Sequence, residues 1–281
     1  MAINKKVLIV GSGGFLASHV AAVLRRQPGT LIIGFSRKPV ADPALAANYT
    51  GLDSLSKEHP QFDEVYMLAA FIPYGRFNEP NKEFVDTNIG LVLKVSALYP
   101  AAKIIYASSV AVYGQVKDMP VLLDSPFVDP DLYGLSKLAA EAVVKNHDRF
   151  SVIRFSSLVG EGMKAPTFIT LMTIAATAGT MTLYGDGSRL QNYIDTRDAA
   201  EMCVAAASQP VNLVALGVGQ KSYSNKEIAG IIQQYTNAAI QFQGEDNSPS
   251  FVYDTAPSYH LLNYTPAYSI EQSIKEIIAG Q

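Results

Sequence analysis

Short apolar runs alternate along this chain with longer stretches in which apolar side chains recur every three or four residues. Val7-Leu8-Ile9-Val10, Leu31-Ile32-Ile33-Gly34-Phe35, Val65-Tyr66-Met67-Leu68, Lys103-Ile104-Ile105-Tyr106-Ala107 and Ser151-Val152-Ile153-Arg154-Phe155 are the short runs. They are too apolar to leave one face in water, which is the mark of a parallel strand covered on both sides. Helical spacing follows from residue 15 to about 26, over 81–99 and over 132–147. Strand and helix alternate five or six times, which predicts an α/β fold with a doubly wound parallel sheet over residues 1–160. Beyond 160 the rhythm changes. Helices are expected over 166–178, 197–208, 225–236 and 270–279, and strands over 181–184 and 211–218. The expectation is a small C-terminal substrate lobe over 161–281, with 190–218 returning to the first domain. Residues 39–62 and 220–260 show no clear period.

The first strand ends in Gly11-Ser12-Gly13-Gly14-Phe15-Leu16-Ala17, a Gly-x-x-Gly-x-x-Ala turn between strand and helix. Glycines let the backbone turn tightly and let a pyrophosphate approach the helix N-terminus, where free N–H groups and the dipole favour anions. Gly11, Gly13, Gly14, Phe15 and Leu16 are thus candidate dinucleotide-binding residues of a Rossmann-type domain. The second strand ends in Ser36-Arg37-Lys38, where an NAD site would carry an acid on the ribose 2′-hydroxyl. A hydroxyl and two cations suit a 2′-phosphate instead, so NADPH/NADP is expected before NAD. Leu68, Ala69 and Ala70 close the next strand and leave room for the cofactor. Asp53 is a further candidate near the adenine, or a helix cap.

Tyr133 and Lys137 are four apart, so on a helix they share a face. A phenol titrates near ~10, and an ammonium beside it favours the phenolate. Ser109, at the end of the fifth short run, can hydrogen-bond the same substrate oxygen. The three form a site for moving a proton on or off a carbonyl or alcohol. Gly11, Ser36, Ala69, Ser109 and Ser156 all fall at expected strand ends, on the edge where such sheets hold ligands. Arg76 is the one positive charge in an aromatic loop and meets either a substrate phosphate or solvent. Asn88 reads as a structural polar residue and Cys203 as core.

Composition narrows the function classes. The 281 residues carry a net charge of −3, with 17% charged and 48% hydrophobic residues. No basic run is present, which argues against a nucleic-acid partner. One cysteine excludes an internal disulfide framework and fits a reducing compartment. The apolar stretches are too short or interrupted for a membrane span, so a cytoplasmic location is expected. His19, His59, His147 and His260 lack metal-ligand spacing.

The glycine turn, Leu68-Ala69-Ala70, Ser108-Ser109-Val110-Ala111-Val112-Tyr113-Gly114 and Tyr133-Gly134-Leu135-Ser136-Lys137 together resemble the extended short-chain dehydrogenases/reductases. More narrowly they resemble the NAD-dependent epimerase/dehydratase family, which acts on nucleotide sugars. Gly185-Asp186-Gly187, Tyr193-Ile194, Asp198-Ala199-Ala200 and Leu261-Leu262-Asn263-Tyr264-Thr265-Pro266 continue the likeness. The resemblance implies that Ser109, Tyr133 and Lys137 are the catalytic set, with Lys137 also on the nicotinamide ribose. It implies a nucleotide-sugar substrate and a homodimer formed through the helices at 81–99 and 132–147. Departures sort the subfamilies. Dehydratases carry Asp-Glu after the catalytic serine or threonine, where this chain has Val110 and Ala111. The family's diphosphate-binding Arg reads Gln191, with Arg189 or Arg76 as substitutes, and its substrate-binding Asn reads Ser157. Val110 and Ala111, Ser36-Arg37-Lys38 and the loop Tyr74-Gly75-Arg76-Phe77-Asn78-Glu79-Pro80, which is similar to one in reductases making deoxy sugars on a nucleotide carrier, point to an NADPH-dependent 4-keto reductase of deoxysugar biosynthesis, whereas Gln191 and Ser157 depart from the family's nucleotide-sugar contacts. The alternatives are an NAD-dependent nucleotide-sugar epimerase and a non-catalytic dinucleotide-binding protein.

Overall fold

The computed structural model describes residues 3–280. Met1, Ala2 and Gln281, the outer ends of the two expected domains, lie outside the described residues. Seven strands among the described residues form one parallel sheet. They are β1 (Lys5–Val10), β2 (Thr30–Phe35), β3 (Ala47–Tyr49), β4 (Glu64–Met67), β5 (Lys103–Ser109), β6 (Phe150–Phe155) and β10 (Leu213–Gly217). Their order is β10-β6-β5-β4-β1-β2-β3. The chain winds outward from β1 in one direction and from β4 in the other, so a crevice opens at the carboxyl ends of this pair.

Both faces of the sheet are covered, which is why its strands are apolar throughout. Helices α1 (Phe15–Arg25) and α6 (Thr196–Ser208) bury Leu16, Val20, Leu24, Ala199 and Cys203 against Val7 and Ile9. On the other face α2 (Leu52–Glu58), α3 (Leu91–Leu98) and α4 (Leu132–Lys145) bury Leu55, Val92, Val95, Ala140 and Val144 against Leu8 and Val10. The helix expected over 81–99 begins instead as a π-helical stretch, Phe84–Gly90. Its buried Asn88 accepts from the Phe71 N–H at 2.7 Å and donates to the Phe71 carbonyl and to Ser136. One carboxamide thus ties the loop at Phe71 to α4, a structural part that matches its expected role.

The smaller lobe has its own core. Helices α5 (Phe168–Thr177), α7 (Asn225–Thr236) and α9 (Ile270–Ala279) enclose Ile169, Met181, Leu183, Tyr193, Ile228, Ile232 and Ile274. Strands β7 (Ser157–Val159), β9 (Leu190–Asp195) and β11 (Ser222–Ser224) form one small sheet. Strands β8 (Thr180–Tyr184) and β12 (Ala239–Gln243) form another. After β9 the chain re-enters the large sheet through α6 and β10, and α8 (Ala256–Leu262) packs on β10. Among the described residues no helix is long and apolar enough to cross a membrane, and no cluster of His, Cys, Asp and Glu is placed to hold a metal.

Candidate active site

A cleft of about 1130 Å³ runs along the carboxyl edge of the sheet, between it and the small lobe. The glycine turn forms its near wall. Gly11 has φ +88°, and a Cβ there would lie 2.6 Å from the Ala69 nitrogen, so only glycine lets the ends of β1 and β4 close up. Ser12 donates to the Asn48 side chain, and Asn48 in turn donates to Ser36 at 3.0 Å, which pins the turn to the end of β2. Helix α1 has no side-chain cap and no acid in its first turn. The first N–H groups of a helix lack intrahelical partners, so Phe15 and Leu16, which line the cleft, are placed to receive an anion. The cradle fits a dinucleotide pyrophosphate.

The proton-handling residues meet further along the same cleft. Ser109 ends β5 and accepts from the Ala111 N–H at 3.1 Å, which starts a short 3-10 turn, Val110–Tyr113. Asp131 caps α4 by accepting from the Gly134 N–H at 2.7 Å. A side chain at Gly134 would collide with the Ala111 carbonyl, so this glycine lets α4 lie against the turn and brings Tyr133 to Ser109. Tyr133 is 8% and Lys137 2% exposed. The Lys137 ammonium donates to the Ala107 carbonyl at 2.8 Å and lies over the rings of Tyr106 and Tyr133.

Burial dominates the electrostatics of the free cleft. It brings Lys137 down to about 7, against the opposing charge of Glu141. Burial also raises the Tyr133 phenol above its ordinary value, opposed by a hydrogen bond to Ser109 and assisted by Tyr74 and Asp131. The expected lowering of the tyrosine by its lysine is therefore not met here. An ammonium taken out of water loses its charge near neutrality and has little left to lend. Behind the pair, Glu141 accepts from Ser108 at 2.7 Å and from both Nε and Nη2 of Arg154, and Arg154 also donates to the Tyr113 hydroxyl. Its partners hold the Glu141 carboxyl below the usual range despite burial.

The remaining candidates divide. Ser36, Arg37, Lys38, Leu68, Ala69, Ala70, Ser157, Arg189 and Gln191 all line the cleft. Asp53 does not: it sits exposed in the first turn of α2, the cap-like alternative. Arg76 does not either. It is exposed and pairs with Glu79 at 3.6 Å, while Tyr74 and Phe77 of the same loop face the cleft. Gln191 is spent on Asn225 at 2.6 Å, and Arg189 donates Nε to the Pro249 carbonyl. Sequence reasoning missed Asp131, Lys164, Phe251 and Tyr253, which also line the cleft. Asp131 had a local signal, an Asp directly before a helical period. The other three arrive through lobe loops that carry no period.

A model of the NAD dependent epimerase/dehydratase family matches residues 7–218. The chain is 25% identical to a UDP-N-acetyl-alpha-D-glucosaminuronate decarboxylase of Bacillus cytotoxicus, over 98% of this chain and 97% of the relative. It is 26% identical to a UDP-glucose 4-epimerase of Lacticaseibacillus casei, over 83% and 82%. Its fold is similar to the crystal structure of UDP-glucuronic acid 4-epimerase from Bacillus cereus in complex with UDP-glucuronic acid and NAD. That match has a TM-score of 0.82, 20% identity and 98% coverage of each chain. These findings overturn the expectation of NADPH, since the cofactor in that structure is NAD. The groups at the end of β2 already have partners within the protein. Arg37 is exposed and paired with Glu83 at 3.3 Å, and the Ser36 hydroxyl is donated to the Lys38 carbonyl at 2.6 Å. The carboxylate beside Arg37 offsets part of the positive charge that would attract a 2′-phosphate.

Proposed function

The chain belongs to the NAD dependent epimerase/dehydratase family, an NAD(P)-dependent enzyme of the extended short-chain dehydrogenase/reductase type, and we propose that it is an NAD-dependent nucleotide-sugar 4-epimerase. The observation that carries this reading is one continuous cleft that joins the glycine turn to Ser109, Tyr133 and Lys137. The epimerase alternative replaces the reductase because relatives of this chain are UDP-sugar 4-epimerases. Val110 and Ala111 line the cleft where a dehydratase needs an acid and a base, which speaks against elimination of water.

In this reading the N–H groups opening α1 hold the pyrophosphate. Lys137 has one N–H on Ala107, and its other two hold the nicotinamide ribose. Held there, NAD would supply a reversible hydride acceptor for the sugar carbon, and its positively charged ring would favour a phenolate at Tyr133. Tyr133 removes the hydroxyl proton and later gives it back. Ser109 holds the oxygen between the two steps and keeps it in line with Tyr133. Phe77, edge-on to Tyr133 at 5.9 Å, helps exclude water. Arg189 and Lys164, at the lobe side of the cleft, face the nucleotide diphosphate in place of the residue at Gln191. The reading includes a cytoplasmic enzyme that works as a homodimer, with a second copy covering the exposed Val85, Leu93 and Leu135 of the paired helices.

Acid denaturation of the purified protein tests the reading. It is expected to release NAD, near one per chain, and no NADP. Release of NADP, or a protein that consumes NADPH with each turnover, overturns it.

A further inference from the structure

Asp131 holds a place in the cleft that capping alone does not explain. Its Oδ1 accepts from the Gly134 N–H at 2.7 Å and so opens α4. The same half-buried residue lines the cleft, two positions before Tyr133. Burial raises its carboxyl above the ordinary value, opposed by the backbone N–H groups of Gly134 and Tyr133, which favour the charged form. Among the described residues no cation pairs with it. Its charge also reaches the phenol: burial is the largest cause of the raised Tyr133, and the Asp131 carboxylate adds to it.

Little positive charge is available there to balance it. Phe77 lies edge-on to Tyr133 at 5.9 Å, and Tyr74, Val110 and Ala111 line the cleft with it. Arg76 of the aromatic loop is exposed and paired with Glu79. Lys137 donates to Ala107, and burial brings it down to about 7, which makes it a weak counter-charge. A 4-epimerase acts on a carbon whose neighbour, C5, carries C6. With the C4 oxygen on Tyr133 and Ser109, C6 lies only two bonds from the reacting carbon. A hydroxymethyl group at C6 is neutral and can donate to a carboxylate. A carboxylate at C6 meets a like charge in a partly desolvated site, which is unfavourable.

We propose that Asp131 is a specificity-determining residue that admits nucleotide hexoses with a neutral C6 group and turns away nucleotide uronic acids. This rests on the nucleotide-sugar reading of the cleft. A carboxylate in the cleft also acts on the diphosphate at longer range, so the test separates the sugar from its carrier.

The experiment is equilibrium dialysis of the NAD-loaded protein against UDP, UDP-glucose and UDP-glucuronic acid, with wild type, Asp131→Asn and Asp131→Ser compared. Asparagine and serine both keep an acceptor at the cap, so α4 stays capped in each variant. Wild type is expected to hold UDP-glucose at least about tenfold more tightly than UDP-glucuronic acid. Both variants are expected to narrow that gap to within about threefold and to leave UDP within about twofold of wild type. Equal affinities in the wild type, or a preference for UDP-glucuronic acid, overturn the inference. So does a gap that persists in either variant, or an equal tightening of UDP and UDP-glucuronic acid, which places the charge effect on the diphosphate. Wild type that binds none of the three overturns the nucleotide-sugar reading itself, and shows this before any substitution is compared.

Discussion

Two lysines are buried along one strand, and they do opposite things. Lys103 opens β5 and is 3% exposed; Lys137 rests on Ala107 of the same strand and is 2% exposed. Lys103 donates to three carbonyls, those of Ala206, Ala207 and Gln209, at 2.9, 3.1 and 2.5 Å. These close the C-terminus of α6, where the helix dipole favours a cation. Every donor of that ammonium is used, so it is a bolt between sheet and helix. Lys137 has one carbonyl and two donors left over. Burial lowers both lysines, with Glu64 opposing the shift at Lys103 and Glu141 opposing it at Lys137. At equal burial the two lysines thus differ in how complete their sets of partners are, and in the proposed reading the incomplete one is the binding lysine.

The contrast is broken most severely at the cleft. Tyr133→Phe and Lys137→Met are each expected to lower turnover by ~10²–10⁴-fold, measured as sugar interconversion per folded molecule. In the nucleotide-free protein Lys137→Met also changes how stability depends on pH. The folded lysine titrates at about 7 and the unfolded one at 10.5, so between these values the unfolded chain binds more protons. Stability therefore rises with pH across that window, by up to ~1.4 kcal/mol per unit, and Lys137→Met flattens the rise. Denaturation at pH 7 and pH 9 checks this; equal slopes for the two proteins contradict it.

Next in size is Glu141→Gln, which leaves Arg154 buried at 4% side-chain exposure without a counter-charge. A stability loss of about 3–5 kcal/mol is expected, and an unaltered denaturation midpoint opposes the account. Lys103→Met follows. It strands the carbonyls of α6 at a cost of roughly 2–3 kcal/mol while turnover per folded molecule stays the same. A drop in turnover without a drop in stability would move Lys103 into the machinery. The smallest effect belongs to Arg37→Ala, whose guanidinium is 78% exposed and already paired. NAD affinity should change by less than about twofold, since an exposed pair contributes ~0–1 kcal/mol; a tenfold loss would return Arg37 to the cofactor.

These residues also mark what the sequence could show. The glycine turn and the pair Tyr133 and Lys137 were legible because strand-turn-helix and a four-residue spacing are local. Strand ends converged on one edge because topology follows from alternation, so Ser109, Ala69 and Ser36 were placed without contacts. Arg37 misled because its neutralising partner, Glu83, lies 46 residues away. Arg76 took the solvent side of its two readings, and Tyr74 and Phe77 beside it line the cleft. Lys103 carried no signal within its apolar run, because its three partners lie more than a hundred residues downstream. The lobe was the least legible part. Its strand β12 has mostly exposed residues and no burial alternation, and Phe251 and Tyr253 reach the cleft on a loop.

The central claim is that the cleft oxidises and re-reduces one sugar carbon with NAD retained. Proton NMR of UDP-glucose, UDP-N-acetylglucosamine and UDP-glucuronic acid, each incubated with the protein and no added cofactor, tests it most directly. The account predicts that at least one is converted to its 4-epimer until an equilibrium mixture is reached. No conversion of any of them, with sugar chemistry appearing only as added NADPH or NADH is consumed in equal amount, would contradict it.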